Sequence, residues 1–198
     1  TGFNPGAMKH PSEYDFSKAA PGDSIGLIAA GNLGDMAAYA EEYKRRGIPC
    51  ICDPGQSLTA WAGGALRKWI EGSSILITND YELDLVMKMT GMDREALLGL
   101  TETIITTLGE EGSIVVRRGS EVRVPAVKAG VVVDPTGAGD AYRAGLLKGL
   151  VTGRDLETAA RIGSVVAAYA VENYGTQEHF FTYEEFLKRY ESAFPEGL

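Results

Sequence analysis

The short apolar runs of this chain are continuous rather than alternating. SIGLIAAG (24–31), IPCICDP (48–54), SILITND (74–80) and TIITTLG (103–109) each have strand length and no hydrophilic face. Such runs fit strands covered by helices on both sides of a parallel sheet. Helical patterns stand between them. DMAAYAEEYKRRG repeats apolar residues at Met36, Tyr39, Ala40 and Tyr43 and stops at Gly47. TAWAGGALRKWIEG (59–72), YELDLVMKMTG (81–91, closed by Gly91) and the shorter MDREALLGL (92–100) follow the same logic. Alternation of this kind predicts an α/β fold in three layers, with a mostly parallel sheet between helices.

Beyond the fourth strand the pattern changes. SIVVRRGSEVRVPAV (113–127) predicts a hairpin turning around Arg118, Gly119 and Ser120, and VVVD (131–134) a further strand running into PTGAGD and a helix. Helices are expected over 155–174 and 183–194. In the first, Leu156, Ala159, Ala160, Gly163, Val166, Ala167, Ala170 and Val171 form a stripe of small residues able to lie close against a sheet. Residues 1–23, rich in Gly, Pro and polar side chains, predict loop.

A length of 198 residues suits one well-cored domain, and a net charge of −8 argues against a nucleic-acid partner. No run reaches membrane-spanning length and the first residues lack signal-peptide order, so a cytoplasmic location without membrane association is expected. Cys50 and Cys52, two apart on one strand, would face the same side as reduced, buried thiols. Trp61 and Trp69 are expected on a single helix as core or interface. His10 and His179 have no partner at ligand spacing.

The segment VVVDPTGAGDAYRAGLLKGL (131–150) carries the chemistry. A glycine-bearing turn that opens a helix presents unpaired amides and the positive end of the helix dipole, which suits an anion. Gly137 and Gly139, with small Ala138 between them, let a phosphate approach the main chain. A carboxylate at Asp140 repels phosphate. It makes sense if the ligand also brings a hydroxyl whose proton Asp140 accepts. A helix N-cap role for Asp140 fits the spacing as well. The chain has no P-loop motif, and GAGDAY lacks the third glycine of a dinucleotide fingerprint.

DPTGAGDAYRAGLL resembles the C-terminal signature of the ribokinase (PfkB) family. That resemblance implies ATP-dependent phosphorylation of a sugar or nucleoside hydroxyl, with Asp140 as base and Gly137, Ala138 and Gly139 as anion hole. Two further segments resemble family motifs in the family's order. Asn79-Asp80-Tyr81-Glu82 resembles N-x-x-E, which implies Asn79 near the phosphates and Glu82 holding Mg²⁺ through water; a capped helix start fits the same tetrapeptide. The segment 107–112 resembles T-x-G-x-x-G, which implies Thr107, Gly109 and Gly112 along the nucleotide phosphates. The segment 173–177 resembles the adenine loop, with Asn173 and Gly175 at the nucleotide; a helix stop fits them too. The resemblance further implies that this loop and the Asp134/Thr136 turn share a monovalent cation, K⁺ by oxygen-donor chemistry.

The likeness covers most of the chain. Its fold would be the three-layer ribokinase-like α/β/α, with residues 1–198 forming the C-terminal nucleotide-binding and catalytic part. The family's N-terminal strands, early glycine pair and substrate lid are not matched. The chain alone is therefore expected to bind adenine nucleotide weakly and to turn over no acceptor. DPGQ (53–56), DAYRAGLL and YGTQEHF lean toward bacterial adenosine-kinase-like members, and Arg143 is expected either at substrate or phosphate or as a solvated or sheet-packing residue. Family membership is also compatible with a homodimer. The rival expectation is a non-catalytic nucleotide-binding or regulatory module of the same fold.

Overall fold

A computed structural model describes residues 4–198; the loop expected at residues 1–3 lies outside the described residues. Six strands lie in the sheet order β1-β2-β3-β4-β5-β6: β1 Gly26–Ile28, β2 Cys50–Cys52, β3 Ser73–Asn79, β4 Thr101–Thr107, β5 Ser113–Arg117 and β6 Ser120–Val124. β1 and β2 pair in parallel with Gly26 opposite Cys50, and β2 and β3 with Ile51 opposite Ile75. The expected α/β architecture, a mostly parallel sheet with helices on both sides, is the one observed. Seven α-helices accompany the strands among the described residues: α1 Leu33–Arg46, α2 Gly63–Ile70, α3 Asp80–Thr90, α4 Arg94–Leu97, α5 Ala138–Val151, α6 Leu156–Val171 and α7 Tyr183–Ala193.

The chain forms two compact units, Thr1–Thr106 with Val116–Ser120, and Thr107–Val115 with Glu121–Leu198. In the first, local signals end the helices where the sequence places them. Gly47 and Gly91 stop α1 and α3 in the left-handed conformation, at φ 68° and 66°. The Asn32 side chain caps α1, with Asp35 in its first turn and Lys44, Arg45 and Arg46 in its last, matching the helix dipole. The core gathers Ile28, Met36, Cys52, Leu66, Trp69, Leu76, Val86 and Ile104. Both cysteines are buried free thiols. The helix expected from residue 59 begins only at Gly63. A 3₁₀ segment, Gly55–Ala60, precedes it, and the Gly63-Gly64 pair is a poor place to propagate a helix. Trp61 therefore sits before α2, yet it still stacks on Trp69 at 5.2 Å between ring centroids, inside the core.

In the second unit α5 and α6 cross with their backbones nearly touching. A Cβ on Gly145 would stand 2.7 Å from the Gly163 Cα, and one on Gly149 2.6 Å from the Ala159 Cα. The small-residue stripe of α6 thus serves a helix–helix contact, where a sheet contact was expected. The predicted strand at 131–134 does not form. Val131, Val132 and Val133 are 60%, 65% and 50% exposed, and the Val133 and Asp134 amides donate to the Val171 carbonyl at the end of α6. With the amides of Val133 and Asp134 committed to a helix end, this segment joins no sheet ladder. α6 itself stops at Val171, three residues short of the expected end.

Candidate active site

Residues 125–137 run from β6 to α5 without regular secondary structure until the turn at Thr136 and Gly137. Lacking strand partners, this coil hangs on side chains and a helix end. Ser164 Oγ accepts from the Val127 amide (3.0 Å) and donates to the Pro125 carbonyl (2.9 Å). The Gly130 amide donates to Glu172 Oε1 (2.6 Å). The coil, the start of α5, α6 and the 107–112 turn enclose a cavity of about 710 Å³, within the range of small-molecule sites. Thr107, Gly109 and Gly112 line it beside Ala138 and Gly139, so two of the three sequence motifs meet at one cavity. Ala126, Val127, Val132, Ala167, Ala168 and Val171 make much of its wall apolar, and Lys128 adds a cation.

The start of α5 is built unlike that of its neighbours in this unit. Asp155 and Thr182 cap α6 and α7 with their side chains, whereas α5 opens on Gly137, at φ 86° and with no side-chain cap. A Cβ at Gly137 would press on Thr176, at 3.0 Å from its Cα, so the position needs glycine for space and for conformation. The Ala138 amide bonds back to the Pro135 carbonyl (3.2 Å), while the Gly139 and Asp140 amides have no acceptor within the helix. Asp140 occupies the third helical position and is not the N-cap, which removes that alternative. Its side chain is 81% exposed. Arg143, one turn on, is 14% exposed, with Nη1 3.9 Å from Asp140 Oδ1, and a Cβ on Gly139 would run into that guanidinium. Arg143 is therefore packed against the anion turn, and the solvated alternative does not hold.

Asp134 ties the turn to the loop after α6. Its Oδ1 accepts from the Thr136 amide (2.9 Å) and its Oδ2 from the Gly175 amide (3.1 Å). Hydrogen bonds from Thr136, side chain and backbone, and then from Gly175 hold the Asp134 carboxyl below its ordinary value. Asn173 turns its amide onto the Tyr169 carbonyl (2.9 Å), closing the end of α6 as the helix-stop alternative has it. Asn79 and Glu82 belong to the other unit. They form a reciprocal capping box at the end of β3, with Glu82 N–H donating to Asn79 Oδ1 (2.7 Å) and Asn79 N–H to Glu82 Oε2 (2.9 Å). Among the described residues no cluster of three His, Cys, Asp or Glu side chains is set to hold a metal. A nucleotide-borne Mg²⁺, which keeps most of its waters, needs no such cluster.

Sequence reading missed Tyr142, Ser164 and Lys128. Tyr142 lines the cavity, bonds Ser113 Oγ at 2.8 Å and has its hydroxyl pushed up to about 12 by burial, so it stays neutral. Its place inside the helical pattern of α5 was the one available signal. Nothing local marks Ser164 or Lys128.

Fold and site together define a ribokinase-like protein with an uncapped, glycine-bearing helix start at the cavity. The profile of the pfkB family carbohydrate kinases matches residues 7–181, and the chain belongs to that family. It is similar to the nucleoside kinase of Methanocaldococcus jannaschii, 35% identical over 139 residues, covering 70% of this chain and 46% of that protein. The structure is similar to the nucleoside kinase of Burkholderia thailandensis in complex with inosine, at 36% identity and a TM-score of 0.86, covering 89% of this chain and 59% of that one. The same Burkholderia enzyme in complex with ADP-inosine gives the same score and identity over 56% of its chain. The chain spans about half the length of the curated relatives it matches.

Proposed function

We propose that these residues form the nucleotide-binding and base-bearing part of an ATP-dependent kinase that phosphorylates a nucleoside hydroxyl, purine nucleosides such as adenosine or inosine first among the acceptors. The observation that carries the reading is the uncapped start of α5. It brings Ala138 and Gly139 to the cavity wall and sets an exposed, non-capping Asp140 beside them. The nucleoside kinase relatives, and the inosine and ADP-inosine complexes of one of them, support the acceptor and the nucleotide.

In this reading the amides after Gly137 receive the transferring phosphoryl group, where fixed dipoles act on charge as it develops. Asp140 accepts the proton of the attacking hydroxyl, and the oxygen displaces ADP in line, without a covalent enzyme intermediate. Thr107, Gly109 and Gly112 flank the phosphates, with Asn79 near them and Asn173 and Gly175 toward adenine. Glu82 would hold a nucleotide-bound Mg²⁺ through water, and that ion would supply screening of the phosphate charge. The bond from the Gly175 amide to the Asp134 carboxylate supports a shared K⁺ site at the Asp134/Thr136 turn.

Asp140→Asn tests the assignment in the protein as its gene encodes it, with the 198-residue chain alongside. ADP release with inosine, adenosine and ribose should fall about a hundredfold to ten-thousandfold, with ATP affinity nearly unchanged. A variant that keeps more than about a tenth of the rate would remove Asp140 as the base. Nucleotide binding without turnover by the encoded protein would favour a binding module.

A further inference from the structure

One wall of the cavity is coil, and its placement poses a problem that the sheet does not solve. Residues 125–134 have no ladder, so their position depends on a few tertiary anchors. At one end Ser164 holds Pro125 and Val127. At the other the Val171 carbonyl takes the amides of Val133 and Asp134. The middle, where Lys128 and Ala129 line the cavity, is held by an ion pair that does not itself line it. Glu172 Oε1 accepts from the Gly130 amide and from Arg189 Nη2, both at 2.6 Å. Arg189 Nη1 donates to Glu172 Oε2 (2.9 Å), and Nη2 also reaches the Lys128 carbonyl (3.1 Å).

This pair is built as a rigid device. It is two-pronged, with side chains only 17% and 21% exposed, and the Arg189 guanidinium lies 4.4 Å from the Tyr169 ring centre. A fork bonded at both prongs and stacked on an aromatic face holds its geometry where a lysine would swivel. Glu172 follows Val171, whose carbonyl carries the approach to the anion turn. One residue step thus couples the cavity wall to the amides entering the turn.

We propose that Glu172 and Arg189 are positioning residues for the nucleotide: by clamping Lys128 and Gly130 they fix the coil wall of the cavity, although neither touches what binds there. This rests on the reading of the cavity as a nucleotide site. Their loss frees the middle of the wall while both ends stay tied, so the unliganded site samples wider shapes and affinity falls.

The test is titration calorimetry of MgADP into the chain, with circular dichroism and thermal melting on every variant. Arg189→Met should weaken ADP binding about two- to thirtyfold, the span seen for residues that act through a network. Arg189→Lys, which keeps the charge without the fork, should fall between it and the wild type. Arg161→Met breaks a different α6 ion pair, that of Arg161 with Glu157 (2.6 Å), and should lower the melting temperature with ADP affinity unchanged. If Arg189→Met does not fold, Arg189→Lys and Glu172→Gln carry the same comparison. Variants that lose stability but bind ADP as the Arg161→Met control does would overturn the proposal and leave the nucleotide site standing. Failure of the wild type to bind ADP would overturn both.

Discussion

Two glycines of one sequence motif should respond very differently to the same substitution. Gly109 and Gly112 both line the cavity and both have positive φ. Gly109 sits at φ 59°, in the left-handed helical region, and an added Cβ would meet nothing within 4 Å. Gly109→Ala should therefore cost only the left-handed backbone penalty, about 1–2 kcal/mol. Gly112 sits at φ 92°, ψ −128°, where residues with a Cβ are strained by about 1–3 kcal/mol. Its Cβ would also overlap the Val124 carbonyl and stand 2.6 Å from the Ala126 nitrogen. Both obstacles are main chain, so relief needs a backbone shift, worth about another 1–3 kcal/mol by analogy with overpacked cores. Gly112→Ala should thus cost about 2–6 kcal/mol in all. Urea denaturation followed by circular dichroism, with thermal melting beside it, separates the two variants. At about 2–4 °C per kcal/mol for a chain of this size, Gly112→Ala should melt several degrees below Gly109→Ala. Equal melting temperatures would refute the steric reasoning and show that the β6 exit yields freely.

Glu82→Gln keeps an acceptor for the Asn79 amide, so melting should change little, while the Mg²⁺ needed for half-maximal rate rises; an unchanged Mg²⁺ titration returns Glu82 to a purely capping role. Asp134→Ala removes the acceptor shared by Thr136 and Gly175, and should weaken nucleotide binding and K⁺ activation together, read by ADP titration in K⁺ and in Na⁺. Glu172 is held below its usual 4.5, first by the Arg189 fork and then, against the opposing effect of burial, by the Gly130 amide. A depressed carboxyl stabilises fully above its unfolded value and less as pH falls through its folded one. Melting of the wild type should therefore drop below about pH 4.5, and in Glu172→Gln that part of the drop should be missing.

Much of the first unit was legible because its signals are local. Gly47 and Gly91 end helices by backbone conformation, and Asn79 with Glu82 spells a capping box within four residues. The anion turn was legible for the same reason, since Gly137, Ala138, Gly139 and Asp140 are contiguous. What failed was longer range. Val131, Val132 and Val133 look like a strand because apolarity marks what a segment avoids and not which partner it finds. The Val133 amide, with that of Asp134, goes to Val171, about forty residues on. The anchors of the cavity wall are Ser164, Glu172 and Arg189, whose partners in the coil lie 37 to 61 residues away. No pattern within a window could pair them. The capping alternative for Asp140 was open in the sequence and is closed by the helix register, which puts Gly137 at the N-cap and Asp140 three residues on.

The cavity wall built from coil has a consequence for how such a site diversifies. Its opposite wall is α6, packed against α5 by glycines that admit no added carbon, so single changes there are punished by the packing. Residues 126–132 carry no such tax: they are tied through the main chain of Val127, Lys128 and Gly130, and their side chains answer to no strand register. On the proposed assignment, a lineage could therefore rewrite the face that meets the ligand, one loop residue at a time, while the turn assigned to the phosphate stayed fixed. On that assignment, ligand preference and reaction chemistry lie on separate stretches of chain.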